Sequence, residues 1–158
     1  MKLLVTSDLH YNLQQFDWLL RIAERYDYVI IAGDLLNVAG YLELELQITV
    51  VAEYLQSLSQ RTQVIVCSGN HDGDTKTTKG EYTAAWLQGI RSDTLFVDCQ
   101  SVQAKGVLFS VCPWWDGPHS RKDMADMLVK HAQLPHEKWV WIHHAPPDQC
   151  RVSWTGKR

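Results

Sequence analysis

Short apolar runs alternate with helix-like stripes over the first half of the chain. Residues 3–7, 28–32 and 63–68 are rich in Val and Ile, which is typical of strands buried on both faces of a sheet. Between the first two runs, a three- and four-residue spacing predicts a helix with an apolar stripe of Leu13, Phe16, Leu20 and Ala23. A second helix is predicted over residues 43–59, with an inner face of Leu44, Ile48, Val51, Leu55 and Leu58. Alternating strands and helices require crossover connections, so we expect a parallel sheet with right-handed crossovers.

The second half of the chain predicts shorter elements. A short helix is expected over residues 81–90 and a longer one over 120–133, while the polar residues 75–79 are expected to form a mobile loop. Strands are predicted over four runs: 94–98, 101–103, 107–112 and 138–142, with a turn at Lys105-Gly106. Because no Pro-, Gly- or Ser-rich linker divides the chain, residues 1–158 are predicted to form one α/β domain.

Composition and charge exclude several classes of protein. With 46% hydrophobic and 21% charged residues, the chain is unlike disordered, collagenous or coiled-coil sequences. A net charge of -3 argues against a nucleic-acid partner, which would need a local basic patch. Asp8 comes before an apolar signal-peptide core could form, and no stretch approaches the roughly 18 apolar residues of a membrane span. We therefore expect a cytoplasmic protein, whose scattered cysteines are buried free thiols rather than disulfides. The oligomeric state is left open.

Polar clusters follow four of the predicted strands, at the point where each strand ends. They are Asp8-Leu9-His10, Gly33-Asp34, Gly69-Asn70-His71-Asp72 and His143-His144. In an open parallel sheet, ligands bind in the crevice outside the carboxyl ends of the strands. We therefore expect the clusters to converge in space.

The residue types in these clusters are those that bind divalent metal ions. Asp8 and His10 are two positions apart, so in an extended segment both would project to one face as a metal clamp. The two carboxylate oxygens of Asp34 could bridge two cations, and Asn70 offers an amide oxygen. Such a set suits Mn, Fe or Zn. A lone Asp after a strand is usually a helix cap, and a lone His is usually structural, but four such clusters at four strand ends favour a metal site.

The order of these motifs resembles that of the calcineurin-like metallophosphoesterases. The family pattern of DxH, GD, GNH followed by Asp or Glu, and a strand ending in His matches the four clusters in sequence order. The resemblance implies an αββα sandwich of two mixed β-sheets flanked by helices. It also implies two divalent metal ions and hydrolysis of phosphate esters of a small phosphorylated substrate by a hydroxide held between the metals. Whether the substrate is a diester or a monoester is left open.

The resemblance also implies a role for each site residue. Asp8 and His10 would hold the first metal, Asp34 would bridge both, and Asn70 with a terminal histidine would hold the second. The family's His-x-Pro pattern favours His144, in His144-Ala145-Pro146, for that last ligand, and His143 is the alternative.

By the same resemblance, His71 would act as a catalytic residue rather than as a metal ligand. It would protonate the leaving oxygen or stabilise charge on the phosphate, and Asp72 would orient its ring.

One family motif, GHxH, is absent from the sequence. Its histidines normally give each metal one ligand, so three explanations stand: a C-terminally truncated chain that lacks its last strands, a partner subunit that supplies the ligands, or a degenerate site. We favour the first. A non-catalytic scaffold on the same fold, as in the retromer subunit, is the alternative function.

Two further segments bear on the substrate. Residues 35–40 depart from the GDxVDRG run of protein Ser/Thr phosphatases, which favours small phosphoesters over phosphoproteins. Trp114-Trp115 would form either an aromatic lip on a substrate pocket or a loop packed onto the core.

Overall fold

The computed structural model describes residues 1–146. Cys150 and the end of the chain, on which the predicted truncation depends, lie outside the described residues. The strands are β1 Leu3–Thr6, β2 Tyr28–Ala32, β3 Gln63–Cys67, β4 Thr75–Lys76, β5 Tyr82–Thr83, β6 Leu95–Phe96, β7 Ser101–Ala104, β8 Val107–Val111 and β9 Lys138–Ile142. The α-helices are α1 Leu13–Ile22, α2 Leu44–Ser59, α3 Ala85–Gly89 and α4 Pro118–His131.

The first sheet has four parallel strands in the order β1-β2-β3-β6. Helices α1 and α2 cover one of its faces, because their apolar stripes pack onto the residues of β2 and β3 that point to that side. The buried contacts include Phe16, Leu19, Val51 and Leu55 against the strands. The crossover helices predicted from the apolar periodicity are therefore confirmed.

The second sheet has the order β7-β8-β9, with β7 antiparallel and β9 parallel to β8. The predicted two-residue turn joins β7 to β8, and both Lys105 and Gly106 have positive φ, as a tight hairpin requires. The inner face of this sheet packs against the other face of the first sheet through Ile30, Ile65 and Phe109.

Helix α4 covers the outer face of the second sheet, where Met127 and Leu128 are buried beside Cys112. The layers thus run helix, sheet, sheet, helix, and the predicted αββα sandwich is confirmed. One detail differs from the expectation of two mixed sheets, since the first sheet is wholly parallel over the described residues.

Residues 75–90 differ most from the sequence prediction. The helix expected over 81–90 is limited to Ala85–Gly89, and the loop expected over 75–79 contributes β4, which pairs antiparallel with β5. The Asp74 carboxylate causes part of this difference, because it accepts a hydrogen bond from the Ala85 N–H at 2.7 Å, where the helix begins.

Two expectations about cysteines and membranes bear on the described residues. Cys67 and Cys112 are buried free thiols, as predicted, whereas Cys99 is free but exposed. Across residues 1–146, none of the helices is both long and apolar enough to span a bilayer.

Candidate metal centre

The loop after β2 places the Asp34 carboxylate at the centre of the site. Gly33 and Asp34 have φ values of 84° and 55°, so the chain leaves the strand in a left-handed turn. The Asp34 side chain points inward, and the residue is only 3% exposed. Its Oδ1 accepts a hydrogen bond from the His71 N–H at 3.0 Å, which ties the loop after β3 to the loop after β2.

The loop after β1 runs alongside this turn. The backbone N–H groups of Asp8, His10 and Tyr11 donate to the carbonyls of residues 33, 34 and 35, at 3.0, 2.9 and 2.7 Å. All three residues have positive φ, so the segment is a left-handed turn and not the extended clamp that the sequence argument assumed. Asp8 and His10 do lie together, with His10 Nε2 at 3.9 Å from Asp8 Oδ1, but through this turn rather than through strand geometry.

Asp72 holds the backbone of the Asp34 loop. Its fully buried carboxylate accepts hydrogen bonds from four N–H groups, those of Asp34, Leu35, Leu36 and Gly69, at 2.7 to 3.0 Å. Burial raises the pKa of Asp72 to about 7, and the hydrogen bonds from Gly69 and Leu36 oppose that rise. Asp72 makes no hydrogen bond to His71, so the predicted role of orienting that ring is wrong. It positions the loop that carries Asp34.

Two glycines allow the loops to approach closely. A Cβ on Gly69 would overlap the Asp34 carboxylate and backbone N, and a Cβ on Gly33 would lie 2.7 Å from atoms of the His144 side chain. The Gly33 contact brings the end of β9, in the second sheet, against the end of β2, in the first. The four strand ends therefore converge, as the sequence predicts.

The donor atoms form two overlapping groups around Asp34. One group contains His10, Asp34 and His71, and the other contains Asp8, Asp34 and His144, with the donor atoms of each group within 4.8 Å of one another. From Asp34 Oδ2, the Nε2 atoms of His10, His71 and His144 lie at 3.7, 3.9 and 3.4 Å. Carboxylate and imidazole donors at such separations suit divalent cations between them.

His10 and His144 differ from His71 in the hydrogen bonding of their Nδ1 atoms. His144 Nδ1 donates to the Ala32 carbonyl at 2.8 Å, and His10 Nδ1 donates to the Leu36 carbonyl at 3.4 Å. A proton fixed on Nδ1 leaves a lone pair on Nε2, the arrangement of a metal-binding histidine. His71 Nδ1 is buried and has no hydrogen-bond partner among the described residues, which favours a proton on its Nε2.

Asn70 and His143 are placed less centrally. Asn70 is exposed and lines a cavity beside the Asp34 loop, directly after Gly69. His143 belongs to neither donor group formed by residues 1–146. Its Nδ1 donates to the Cys112 carbonyl at 3.4 Å, and burial lowers its pKa. Of the two histidines left open by the sequence, the structure thus brings His144, and not His143, to Asp34.

The site also uses features that the sequence analysis did not assign. The Ala32 and Leu36 carbonyls orient the two histidines, and no side-chain signal could have revealed them. The cavity beside Asn70 has a volume of about 430 Å³ and includes Asp74, Tyr82 and Trp114 in its lining. Of these, only Trp114 was a candidate from the sequence, as part of the Trp114-Trp115 pair that would form either an aromatic lip or a loop packed onto the core.

Comparison with known proteins identifies the family. The model of the calcineurin-like phosphoesterases matches residues 1–158, and the chain belongs to that family. No curated protein matches it.

Two solved structures with TM-scores above 0.5 support the same fold. The chain is 14% identical to a purple acid phosphatase from yellow lupin (Lupinus luteus) seeds, with a TM-score of 0.55, over 89% of this chain and 29% of that one. A second crystal structure gives a TM-score of 0.55 at 10% identity, over 92% of this chain and 69% of that one. The phosphoesterase Yfce of E. coli is 20% identical, with a TM-score of 0.42, over 71% of this chain and 57% of that one. The chain thus spans less than a third of the lupin enzyme.

Proposed function

We propose that this chain is a metal-dependent hydrolase of phosphate esters that works with two divalent cations, Mn, Fe or Zn. The observation that carries the proposal is the sharing of one buried carboxylate, Asp34, by two groups of donors. Membership of a family of phosphoesterases supports the reaction class. The proposal covers small phosphodiesters and phosphomonoesters.

Five residues are proposed to hold the metal ions: Asp8 and His10 at one position, Asn70 and His144 at the other, and Asp34 at both. This pairing follows the family resemblance and the 3.9 Å between His10 Nε2 and Asp8 Oδ1. It differs from the grouping by donor distance, in which Asp8 lies with His144 and His10 with His71. Two cations so placed would offset the negative charge of the phosphate and activate a water molecule for in-line attack. The lone pairs on Nε2 of His10 and His144, left free by their Nδ1 contacts, support this assignment.

His71 is proposed to donate a proton or a hydrogen bond to the phosphate rather than to bind metal. Its ring packs edge-on against that of His10, with centroids 4.7 Å apart, so it lies at the same cleft. The missing partner at Nδ1 supports a proton on Nε2, the atom that would face a leaving oxygen.

The test compares His71→Ala with His10→Ala. We expect His71→Ala to keep its bound Mn²⁺ and to lose on the order of 10²–10⁴-fold in kcat for p-nitrophenyl phosphate or bis(p-nitrophenyl) phosphate. His10→Ala should lose bound metal as well as rate. Metal content by plasma mass spectrometry and initial rates would be measured on the same samples. Equal loss of metal from both variants would make His71 a ligand instead, and wild-type protein loaded with Mn²⁺ that hydrolyses neither ester would refute the enzymatic function in favour of a non-catalytic scaffold.

A further inference from the structure

The cavity next to Asn70 has walls suited to a flat organic group. The Trp114 and Tyr82 side chains line it together with the aliphatic Val38 and Leu44. Its volume of about 430 Å³ is within the range of small-ligand pockets. Aromatic walls bind planar rings by stacking or edge-to-face contacts, and non-planar organic groups of similar size do not form these contacts.

Trp114 connects this cavity to the candidate metal centre. Its ring meets the His144 ring edge-on, with centroids 5.8 Å apart, while it stacks on Trp115 at 5.8 Å with an interplanar angle of 4°. The backbone N–H of Trp114 donates to Ser68 Oγ at 2.8 Å, which holds the loop in place. The Trp114 ring also stacks on that of His143, with centroids 6.5 Å apart and an interplanar angle of 23°. Trp114 therefore contacts a proposed metal ligand and also forms part of the cavity lining.

Tyr82 is held on another side of the cavity. Its backbone N–H donates to Asp116 at 2.8 Å, and the Lys76 ammonium lies 4.8 Å from the centre of its ring. Gly73 allows the close fit, since a Cβ there would lie 3.0 Å from Tyr82 Cβ. The Trp114 ring is thus positioned by packing before any ligand binds, which reduces the entropy cost of binding, while Tyr82 has its backbone fixed and is 46% exposed.

The charged residues of the cavity restrict the ligand further. Both of them, Asp74 and Asp116, are acidic, and each carboxylate is fixed by hydrogen bonds from backbone N–H groups. No Lys, Arg or His lines the cavity among the described residues. Negative walls repel a second anionic group, so a polyphosphate tail or an acidic peptide does not suit the space.

We propose that this cavity binds the organic group of the substrate and selects phosphoesters of an uncharged planar ring, an aryl group or a nucleobase. The inference rests on the proposed function, because the phosphate of such an ester would lie at Asp34 and Asn70. Trp114 and Tyr82 would then be specificity-determining residues.

The test uses three phosphonates, which the enzyme cannot hydrolyse: methylphosphonate, phenylphosphonate and the phosphonate analogue of thymidine 5′-phosphate. Their affinities for the Mn²⁺-loaded chain would be measured by isothermal titration calorimetry. A ring-bearing probe should bind more tightly than methylphosphonate by on the order of 5-fold, the size of one aromatic contact. A preference for the phenyl probe alone identifies aryl esters, and a preference for the thymidine probe alone identifies nucleotides.

Variants of the two aromatic residues make the test specific. Tyr82→Leu should remove most of the preference for the ring while leaving methylphosphonate affinity nearly unchanged. Trp114→Leu should also remove most of the preference, but it should weaken methylphosphonate binding as well, because the Trp114 ring packs against His144. Trp18→Leu is the control, because Trp18 is a half-exposed tryptophan on α1 that does not line the cavity. Tyr82 is 46% exposed, so its variant should fold even if the Trp114 variant does not.

The outcomes separate this inference from the proposed function. Equal affinity of the wild-type chain for all three phosphonates, or an unchanged preference in Tyr82→Leu, would overturn the inference while leaving hydrolysis intact. A preference for the ring that depends on Tyr82, in a protein that hydrolyses no phosphate ester, would support the cavity and refute the proposed enzyme.

Discussion

Asp72 illustrates how a residue beside the site can control it without touching a ligand. Its carboxylate accepts four backbone N–H groups, from three consecutive residues of the Asp34 loop and from Gly69. Left-handed φ values at Asp8, His10 and Asp34 add conformational strain that such contacts must offset. The geometry of the site therefore depends on one buried carboxyl group.

Replacement of Asp72 by Asn tests this dependence. An amide keeps one acceptor oxygen but turns an NH₂ group toward two N–H donors, so we expect a loss of unfolding free energy on the order of 3 kcal/mol. Urea denaturation would measure it, with Asp93→Asn, an exposed position, as the control. An Asn variant as stable as the wild type would show that the loop holds its shape without the second acceptor oxygen.

At the residue scale, the sequence predicts which side chains meet but not how. Asp8, His10, Asp34 and His144 lie together because parallel strands end at one edge, which is readable from the order of the motifs. The left-handed turns are not readable, since non-glycine residues seldom adopt positive φ. The contact assigned to Asp72 was wrong because Asp72 hydrogen-bonds to backbone N–H groups, and these carry no side-chain signal.

At the scale of elements, helix α4 depends on a residue from the β5 region. The Glu81 carboxylate accepts hydrogen bonds from the N–H groups of His119 and Ser120, at 2.9 and 2.7 Å, in the first turn of α4. Hydrogen bonding from Ser120 lowers the pKa of Glu81 to about 2, with the backbone of His119 contributing and burial opposing. An anion at a helix N-terminus is also favoured by the helix dipole.

Glu81 should therefore make stability depend on pH. Its folded-state pKa lies below its ordinary value of 4.5, so its contribution is fully present above about pH 4.5 and is lost as the pH falls toward 2. We expect Glu81→Gln to lower the urea midpoint at pH 7, with a difference from the wild type that shrinks below about pH 4.5 and vanishes only near pH 2. Glu53→Gln, an exposed change on α2, is the control. A constant difference between Glu81→Gln and wild type over this range would contradict the assignment.

Most elements were predictable from periodicity, and the exceptions have tertiary causes. The strands and helices of residues 3–67 follow apolar patterns, because the apolar residues in them are the ones that are buried in the core. Residues 75–90 do not follow such a pattern, because side-chain carboxylates fix their backbone or tie them to other segments. Asp116 accepts a hydrogen bond from the Tyr82 N–H, and Asp74 accepts one from the Ala85 N–H at the start of α3. Glu81 accepts one from the His119 N–H in α4. Such acceptors override a weak local helical pattern.

At the scale of the whole molecule, the site forms where the two sheets meet. Gly33 directly follows β2 of the first sheet, and His144 follows β9 of the second. The two residues lie so close that a Cβ on Gly33 would overlap the His144 side chain. The layer order was predictable only through the family resemblance, since apolar periodicity does not show which sheet faces which. The meeting of these two strand ends follows from that packing.

Gly33→Ala should disturb both the backbone and this meeting point. Its φ of 84° makes any Cβ strained, and the added Cβ would displace His144. Gly80→Ala is a matched control, because Gly80 has a φ of 82° but nothing within 4 Å of its Cβ position. We expect Gly80→Ala to cost about 1 kcal/mol in stability and no metal affinity. Gly33→Ala should cost more stability and weaken Mn²⁺ binding by roughly 10-fold or more. Equal effects of the two changes would argue against contact-driven placement of His144.

The most direct measurement is the number of metal ions that Asp34 holds. Wild-type protein and Asp34→Asn would be dialysed against Mn²⁺ and then analysed by plasma mass spectrometry. A carboxylate shared by two donor groups predicts roughly two ions per wild-type chain and fewer than one in the variant. A wild-type chain that retains no Mn²⁺, Fe²⁺ or Zn²⁺, or a variant that retains two ions, would contradict the proposed centre.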